Sequence, residues 1–123
     1  MTIRKEIQEF LLEETIKRFL VYVKIHTTSS EESTTYPSTS CQLDLGSKLK
    51  EELLELGLDN VVHDKFGYVY ADLSASENCE NVQPIAFIAH LDTSPAVEGK
   101  DVKPTIHENY QGQEIKYPED STL

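Results

Sequence analysis

The sequence has few cysteines and no long apolar run, and both absences narrow its class. Only Cys41 and Cys79 occur among its 123 residues, too few for the disulfide framework of a small secreted protein or for a zinc knuckle. We therefore expect two free thiols. No stretch approaches the roughly 20 apolar residues that a membrane span requires, and the N-terminus shows no targeting segment. These features predict a soluble cytoplasmic protein without a membrane partner.

Basic residues are also scarce. The chain has 11 lysines and arginines against 22 acidic residues, which gives a formal net charge of -11 at pH 7. Nucleic-acid phosphates would be repelled by this charge, and no basic stripe compensates for it. The composition therefore argues against a nucleic-acid partner, and an acidic surface of this kind mainly keeps a protein soluble.

Two amphipathic helices are predicted in the first half of the chain. The first covers residues 3–24, and its apolar stripe predicts packing against a sheet; the stripe comprises Ile7, Phe10, Leu11, Ile16, Phe19, Leu20 and Val23. The second begins near Cys41, with Thr39 and Gln42 as a capping box, and ends at Gly57 as a left-handed cap. Its core side is formed by Leu45, Leu49, Leu53 and Leu56.

Loops and a hairpin complete the outline before residue 84. Residues 27–40 are rich in serine and threonine, which predicts a mobile connector, with a substrate-facing role as the alternative. Residues 61–63 and 68–73 are predicted as two strands joined by a turn with Gly67. His63 lies in this hairpin, where a surface or turn position is expected.

The most informative segment runs from Pro84 to Pro95. The apolar residues 85–89 predict a buried strand that delivers His90, Leu91 and Asp92 into a polar turn. Side chains two apart on a strand share a face, so His90 could bind a divalent metal while Asp92 contacts its other ring nitrogen. On the residues alone, a structural histidine followed by a turn-initiating aspartate remains the alternative.

The residues that follow favour the metal interpretation. The core motif is His90, Leu91, Asp92, Thr93, Ser94 and Pro95, and the continuation includes Gly99, Lys100, Val102, Pro104, Ile106, Glu108, Asn109, Tyr110 and Gly112. Together they resemble peptidase T, the tripeptide aminopeptidases among the co-catalytic zinc metallopeptidases. The resemblance extends back through residues 36–39, 54–58 and 67–71, and so covers nearly the whole chain.

This resemblance implies a role for each residue of the motif. His90 would bind one of two zinc ions, and Asp92 would be the catalytic-site residue that orients His90, while neither would be the general base. The substrates would be tripeptides, cleaved at the N-terminal residue. The other metal ligands and the general base would lie beyond residue 123, so we expect the chain alone to bind metal weakly and to be inactive.

The same resemblance implies a fold. Residues 1–123 would form the N-terminal part of a metallopeptidase catalytic domain of the α/β class, without the lid or dimerisation domain. Two N-terminal helices would pack on a mixed sheet that contains the His90 strand. Such a piece would leave strand edges unpaired, which predicts self-association.

Two other classes of function remain open on the sequence. Dipeptidases, carboxypeptidases and amino-acid deacylases of the same zinc superfamily share the His-x-Asp pattern, although the Thr-Ser-Pro and Glu-Asn-Tyr continuation discriminates against them. In the second class, the chain is a non-catalytic α/β interaction module in which His90 and Asp92 are structural. Metal titration would separate the catalytic classes from this one.

Overall fold

The computed structural model describes residues 3–116, which form two helices followed by a β-hairpin. Helix α1 covers Lys5–Tyr22, α2 covers Gln42–Glu55, β1 covers Asp59–His63 and β2 covers Val69–Asp72. The α/β class with two N-terminal helices is confirmed. Within residues 3–116 the sheet has two antiparallel strands, so it differs from the mixed sheet that the sequence predicts.

Helix α2 packs on the hairpin and supplies the small core. Leu45 and Gly46 are its buried residues. The helix ends as predicted, because Gly57 adopts a φ of 77°, a left-handed conformation that glycine tolerates best. Leu58 N donates to Leu53 O at 3.1 Å and Gly57 N donates to Leu54 O at 3.0 Å, the two bonds of a Schellman motif.

The hairpin turn is fixed by one aspartate. Asp64 Oδ1 accepts hydrogen bonds from Phe66 N and Tyr68 N, each at 2.9 Å, and Gly67 takes a φ of 87°. An aspartate that bonds to the backbone after it is a common turn initiator. The predicted hairpin and its glycine are confirmed.

Helix α1 does not pack on the sheet, so the packing expected for its apolar stripe is wrong for the described residues. None of its residues is buried, and Phe10 and Phe19 are exposed. The physical reason is that two short strands offer little surface, and α2 already packs on them. Its apolar residues therefore remain uncovered within the described part of the chain.

A polar contact joins α1 to α2 instead. Tyr22 donates a hydrogen bond from its hydroxyl to Glu52. Arg18 Nε lies 3.5 Å from Glu52 Oε2, and Lys48 Nζ lies 3.0 Å from Glu52 Oε1. Burial raises the pKa of Glu52, but the hydrogen bonds from Tyr22 and Lys48 outweigh it, so the net direction is downward. Glu52 therefore remains charged, and its carboxylate contacts the side chains of Arg18, Lys48 and Tyr22.

The contact between Tyr22 and Glu52 predicts that the Tyr22 hydroxyl loses its proton only at strongly alkaline pH. Burial of the hydroxyl and its hydrogen bond to Glu52 raise the pKa of Tyr22 to about 12. Since the folded-state pKa is raised, the stabilisation is complete below the unfolded value of 10.0 and is lost as the pH rises to about 12. Ultraviolet titration of tyrosinate should show this late step. Tyr22→Phe should remove it and Glu52→Gln should move it to lower pH, whereas an unchanged step in Glu52→Gln would contradict the contact.

The apolar run at residues 85–89 lies outside both strands, and its expected burial is wrong. Phe87 is 96% exposed and Ile88 is 95% exposed. A strand needs a hydrogen-bonded neighbour, but β1 and β2 pair with each other and leave this run without a ladder in the described residues. The sequence suits a sheet, but no strand among residues 3–116 pairs with it.

The two cysteines and the helices bear on the expectations from composition. Cys41 and Cys79 are free thiols, the first half-buried and the second exposed. Between residues 3 and 116, neither helix combines the length and apolarity needed to cross a bilayer.

Candidate functional site

His90 and Asp92 form a direct pair. His90 Nδ1 lies 3.0 Å from Asp92 Oδ1, and the His90 side chain is 82% exposed whereas that of Asp92 is 38% exposed. The sequence prediction that these two side chains meet is thus consistent with the structure. The contact occupies Nδ1, so Nε2 is the nitrogen that His90 can present to a ligand.

The charge on Asp92 fixes the direction of this hydrogen bond. The hydrogen bond from His90 is the largest influence and lowers the pKa of Asp92, a hydrogen bond from Ser29 lowers it further, and partial burial opposes both. A carboxylate only accepts hydrogen bonds. His90 Nδ1 therefore carries the proton, and Nε2 keeps its lone pair in the neutral ring.

The serine- and threonine-rich segment after α1 lies against this motif. Thr28 and Thr93 form an isolated parallel bridge. Thr93 N donates to Thr27 O at 3.1 Å, and Ser29 N donates to Thr93 O at 3.0 Å. Residues 27–29 are therefore hydrogen-bonded to the motif, a role that the prediction of a plain connector missed. No local pattern could have signalled it, because the partners lie 64 or more residues apart in the sequence.

The rest of this loop is ordered by its own hydroxyl groups. Thr39 Oγ1 donates to Thr28 O at 2.7 Å, and Ser30 N donates to Ser38 Oγ at 3.1 Å. The expected capping box is therefore wrong: Cys41 is the N-cap of α2 and forms no side-chain capping bond. The Thr39 hydroxyl donates to Thr28 O and accepts from the Gln42 side chain at 3.0 Å, but it accepts from no backbone N–H of the helix.

The donor chemistry of the pair fits a single metal ligand. A histidine that donates one ring N–H to a carboxylate and presents the other nitrogen is the usual arrangement at a metal centre. Between residues 3 and 116, however, no group of three or more histidine, cysteine, aspartate or glutamate side chains is placed to hold a metal ion. His90 thus fits as one ligand, and the described residues do not complete a site.

His63 has a structural position rather than a ligand's. Its Nε2 is buried without a hydrogen-bond partner, and the ring lies directly over Gly46 in α2. Ser47 Oγ is 3.5 Å from its Nδ1. His63 ends β1 directly before the turn and is half-buried, because its ring fills the space above a helical glycine.

The sequence that contains the His90–Asp92 pair is similar to that of known proteins. No family model matches the chain. It is 55% identical over 100 residues to a peptidase T of Caldanaerobacter subterraneus, 52% over 101 residues to one of Alkaliphilus oremlandii and 48% over 103 residues to one of Listeria welshimeri. These matches cover 81%, 81% and 84% of this chain and 24%, 25% and 25% of the relatives.

The geometry of the exposed histidine and its carboxylate is compatible with a metal ligand, and the proteins to which the chain is similar are peptidases T. The resemblance to peptidase T is confirmed along more than four fifths of this chain. The chain spans about a quarter of the length of these curated relatives.

Proposed function

We propose that this chain is the N-terminal part of the catalytic domain of a zinc aminopeptidase of the peptidase T type, which removes the N-terminal residue from tripeptides. The observation that carries the proposal is the 3.0 Å contact between His90 Nδ1 and Asp92 Oδ1, within a sequence 55% identical to a peptidase T. The cytoplasm is the compartment we propose for it, and self-association is expected of the isolated chain.

Each residue of the pair has a distinct task in this proposal. His90 would hold zinc through Nε2, while Asp92 accepts the Nδ1 proton, fixes the ring orientation and raises the basicity of the ligand. Bound zinc would supply Lewis-acid polarisation of the peptide carbonyl. The general base and the remaining ligands are expected in the three quarters of a peptidase T that this chain does not span.

The isolated chain is expected to bind zinc weakly and to leave tripeptides intact. One histidine with an orienting carboxylate cannot complete a four-coordinate site. In an NMR titration with Zn²⁺, the ring signals of His90 should move first, and His90→Ala should remove the response. His107→Ala is the matched control, because His107 is an exposed histidine outside the pair. Tripeptide turnover by the chain, or a zinc response that survives His90→Ala, would contradict this assignment.

One observation favours a second candidate, a protein-interaction module. Within the described part of the chain, most apolar residues of α1 are exposed, and so are Ile85, Phe87 and Ile88. Exposed apolar surface is typical of segments that pack on a further polypeptide. Other zinc peptidases and deacylases of the superfamily remain the enzymatic alternatives. A chain that binds no zinc through His90, even when joined to the rest of a peptidase T, would favour the interaction module.

A further inference from the structure

The chain turns after the His90–Asp92 pair into a short loop, residues 93–99, which we call the rim loop. We propose that the rim loop contacts the substrate and that Val97 at its tip packs on the side chain of the tripeptide's N-terminal residue, which should be apolar. Thr28 is the positioning residue that closes the loop. The inference deepens the proposed function and rests on it, because the loop has a peptide to contact only if the chain is part of a peptidase.

One hydroxyl group joins the two ends of the rim loop. Gly99 N donates to Thr28 Oγ1 at 3.3 Å, and the same oxygen lies 3.4 Å from Thr93 Oγ1. A Cβ atom on Gly99 would lie 2.7 Å from Thr28 Oγ1, so close approach restricts this position to glycine. Thr28 and Gly99 are both half-buried. The loop is therefore closed at a base that is partly shielded from water.

The main chain fixes the start of the loop independently of that hydroxyl group. Thr93 N donates to Thr27 O at 3.1 Å, and Ser29 N donates to Thr93 O at 3.0 Å. Asp92 directly precedes Thr93 and contacts His90. Consecutive Cα atoms lie about 3.8 Å apart, so the rim loop begins within one residue of the pair. The loop therefore starts where the proposed reaction takes place.

The tip of the rim loop is ordered and exposed. Ala96 N donates to Ser94 Oγ at 3.2 Å, a local bond that stabilises the turn. Residues 95–97 are apolar and exposed, and Val97 is 77% exposed. Loops that a rigid scaffold positions commonly carry binding residues. An ordered apolar tip of this kind suits an apolar group of the substrate.

The charge next to the tip favours an apolar substrate side chain over an acidic one. The Glu98 side chain directly follows Val97, is 73% exposed and has its Oε1 3.6 Å from His26 Nε2. An acidic substrate side chain would meet a like charge at Glu98 and would lose water against the apolar tip, and both effects are unfavourable. The N-terminal residue of the tripeptide is the one concerned, because its side chain branches from the carbon atom next to the reacting carbonyl group.

The specificity test compares the hydrolysis of Leu-Gly-Gly and Glu-Gly-Gly by a chimera that joins this chain to the rest of a peptidase T. The unmodified chimera should favour Leu-Gly-Gly in kcat/KM. Val97→Lys should lower the ratio of the two kcat/KM values about tenfold, because an apolar contact is replaced by a charge that attracts glutamate. Val97→Ile should keep the ratio. Val82→Lys is the matched control, because Val82 is an exposed valine outside the rim loop.

Two results would overturn the contact with Val97. The first is a ratio that is equal in the unmodified chimera and in Val97→Lys. The second is a ratio that falls equally in Val82→Lys, since the added charge would then act on the substrate through the field of the whole protein and not at the tip.

Closure of the loop by Thr28 has its own test in the 123-residue chain. Hydrogen exchange of the Gly99 amide should be about threefold to tenfold faster in Thr28→Val, as the loss of one hydrogen bond implies. Thr28→Ser should restore the wild-type rate. Thr35→Val is the matched control, because Thr35 Oγ1 donates to Pro37 O within the segment after α1. An unchanged rate in Thr28→Val would overturn the closure.

The positioning role of Thr28 is tested in the chimera. Thr28→Val should raise the KM for Leu-Gly-Gly about threefold to tenfold, while kcat and the zinc content stay the same because His90 is untouched. Thr28→Ser should restore KM. A merely structural role would lower the zinc content and kcat together, and that result, or an unchanged KM, would overturn the assignment of Thr28.

Failure of this inference can be told apart from failure of the proposed function. If the chimera cleaves tripeptides through a His90-bound zinc but its substrate ratio ignores Val97, the peptidase proposal stands and the rim-loop contact fails. If the chimera binds no zinc through His90 and leaves both tripeptides intact, the peptidase proposal fails and the contact fails with it.

Discussion

Replacement of His90 by alanine should remove zinc and peptidase activity together in a chimera that joins this chain to the rest of a peptidase T. The Caldanaerobacter relative suits this purpose, because 100 residues of this chain are 55% identical to it. Loss of a residue that only orients a metal ligand costs roughly 10–100-fold in affinity or activity. Loss of the ligand itself should therefore exceed about 100-fold in kcat/KM.

The metal content of the purified chimera is the decisive measurement, taken beside tripeptide hydrolysis. Asp92→Asn should retain part of the zinc and lose about 10–100-fold in activity, because the ring keeps its ligand nitrogen but loses its charged partner. His107→Ala should behave like the unmodified chimera. A His90→Ala chimera with full zinc content would exclude His90 from the metal centre.

Gly46→Ala should destabilise the chain by up to about 2 kcal/mol, the second large effect that we expect. An added Cβ would lie 2.4 Å from Nε2 and 2.8 Å from Cε1 of His63. Overpacking of this kind typically costs about 1–3 kcal/mol, whereas alanine gains only about 1 kcal/mol over glycine within a helix. The steric cost should therefore win. Urea unfolding followed by far-UV circular dichroism measures the difference.

The sign of this effect should reverse when the ring is removed. In a His63→Ala background, Gly46→Ala should stabilise by up to about 1 kcal/mol, because only the helix propensity remains. Gly57→Ala is the matched control: nothing lies within 4 Å of its added Cβ, and its φ is 77°, so its cost is conformational and should not depend on His63. A Gly46→Ala penalty that is the same in both backgrounds would show that the ring is not its cause.

Sequence patterns predicted the elements whose determinants are local. Helix α2 ends at Gly57 and the hairpin turns at Gly67 because short-range hydrogen bonds and positive φ angles decide both positions. The contact between His90 and Asp92 is also local, since two intervening peptide units set its geometry. These features could be read from spacing alone.

Features that depend on distant residues could not be predicted in this way. The apolar pattern of α1 and of residues 85–89 correctly indicates a preference for burial, but a pattern does not specify the surface that covers it. The contacts of Ser29 with the motif likewise join segments 64 residues apart. The packing of the His63 ring could not be predicted for the same reason, because the space it fills is created by Gly46 on another element.

The exposed apolar run at residues 85–89 is flanked by residues that limit its association with identical chains. Pro84 precedes it and, lacking an N–H group, cannot donate to a β-ladder. Asp92, whose pKa is lowered chiefly by the hydrogen bond from His90, places a negative charge just beyond its other end. Proline and charged residues that flank an apolar strand act as gatekeepers against stacking of identical chains. The carboxylate that contacts His90 therefore also places a charge where it disfavours the stacking of this segment on identical chains.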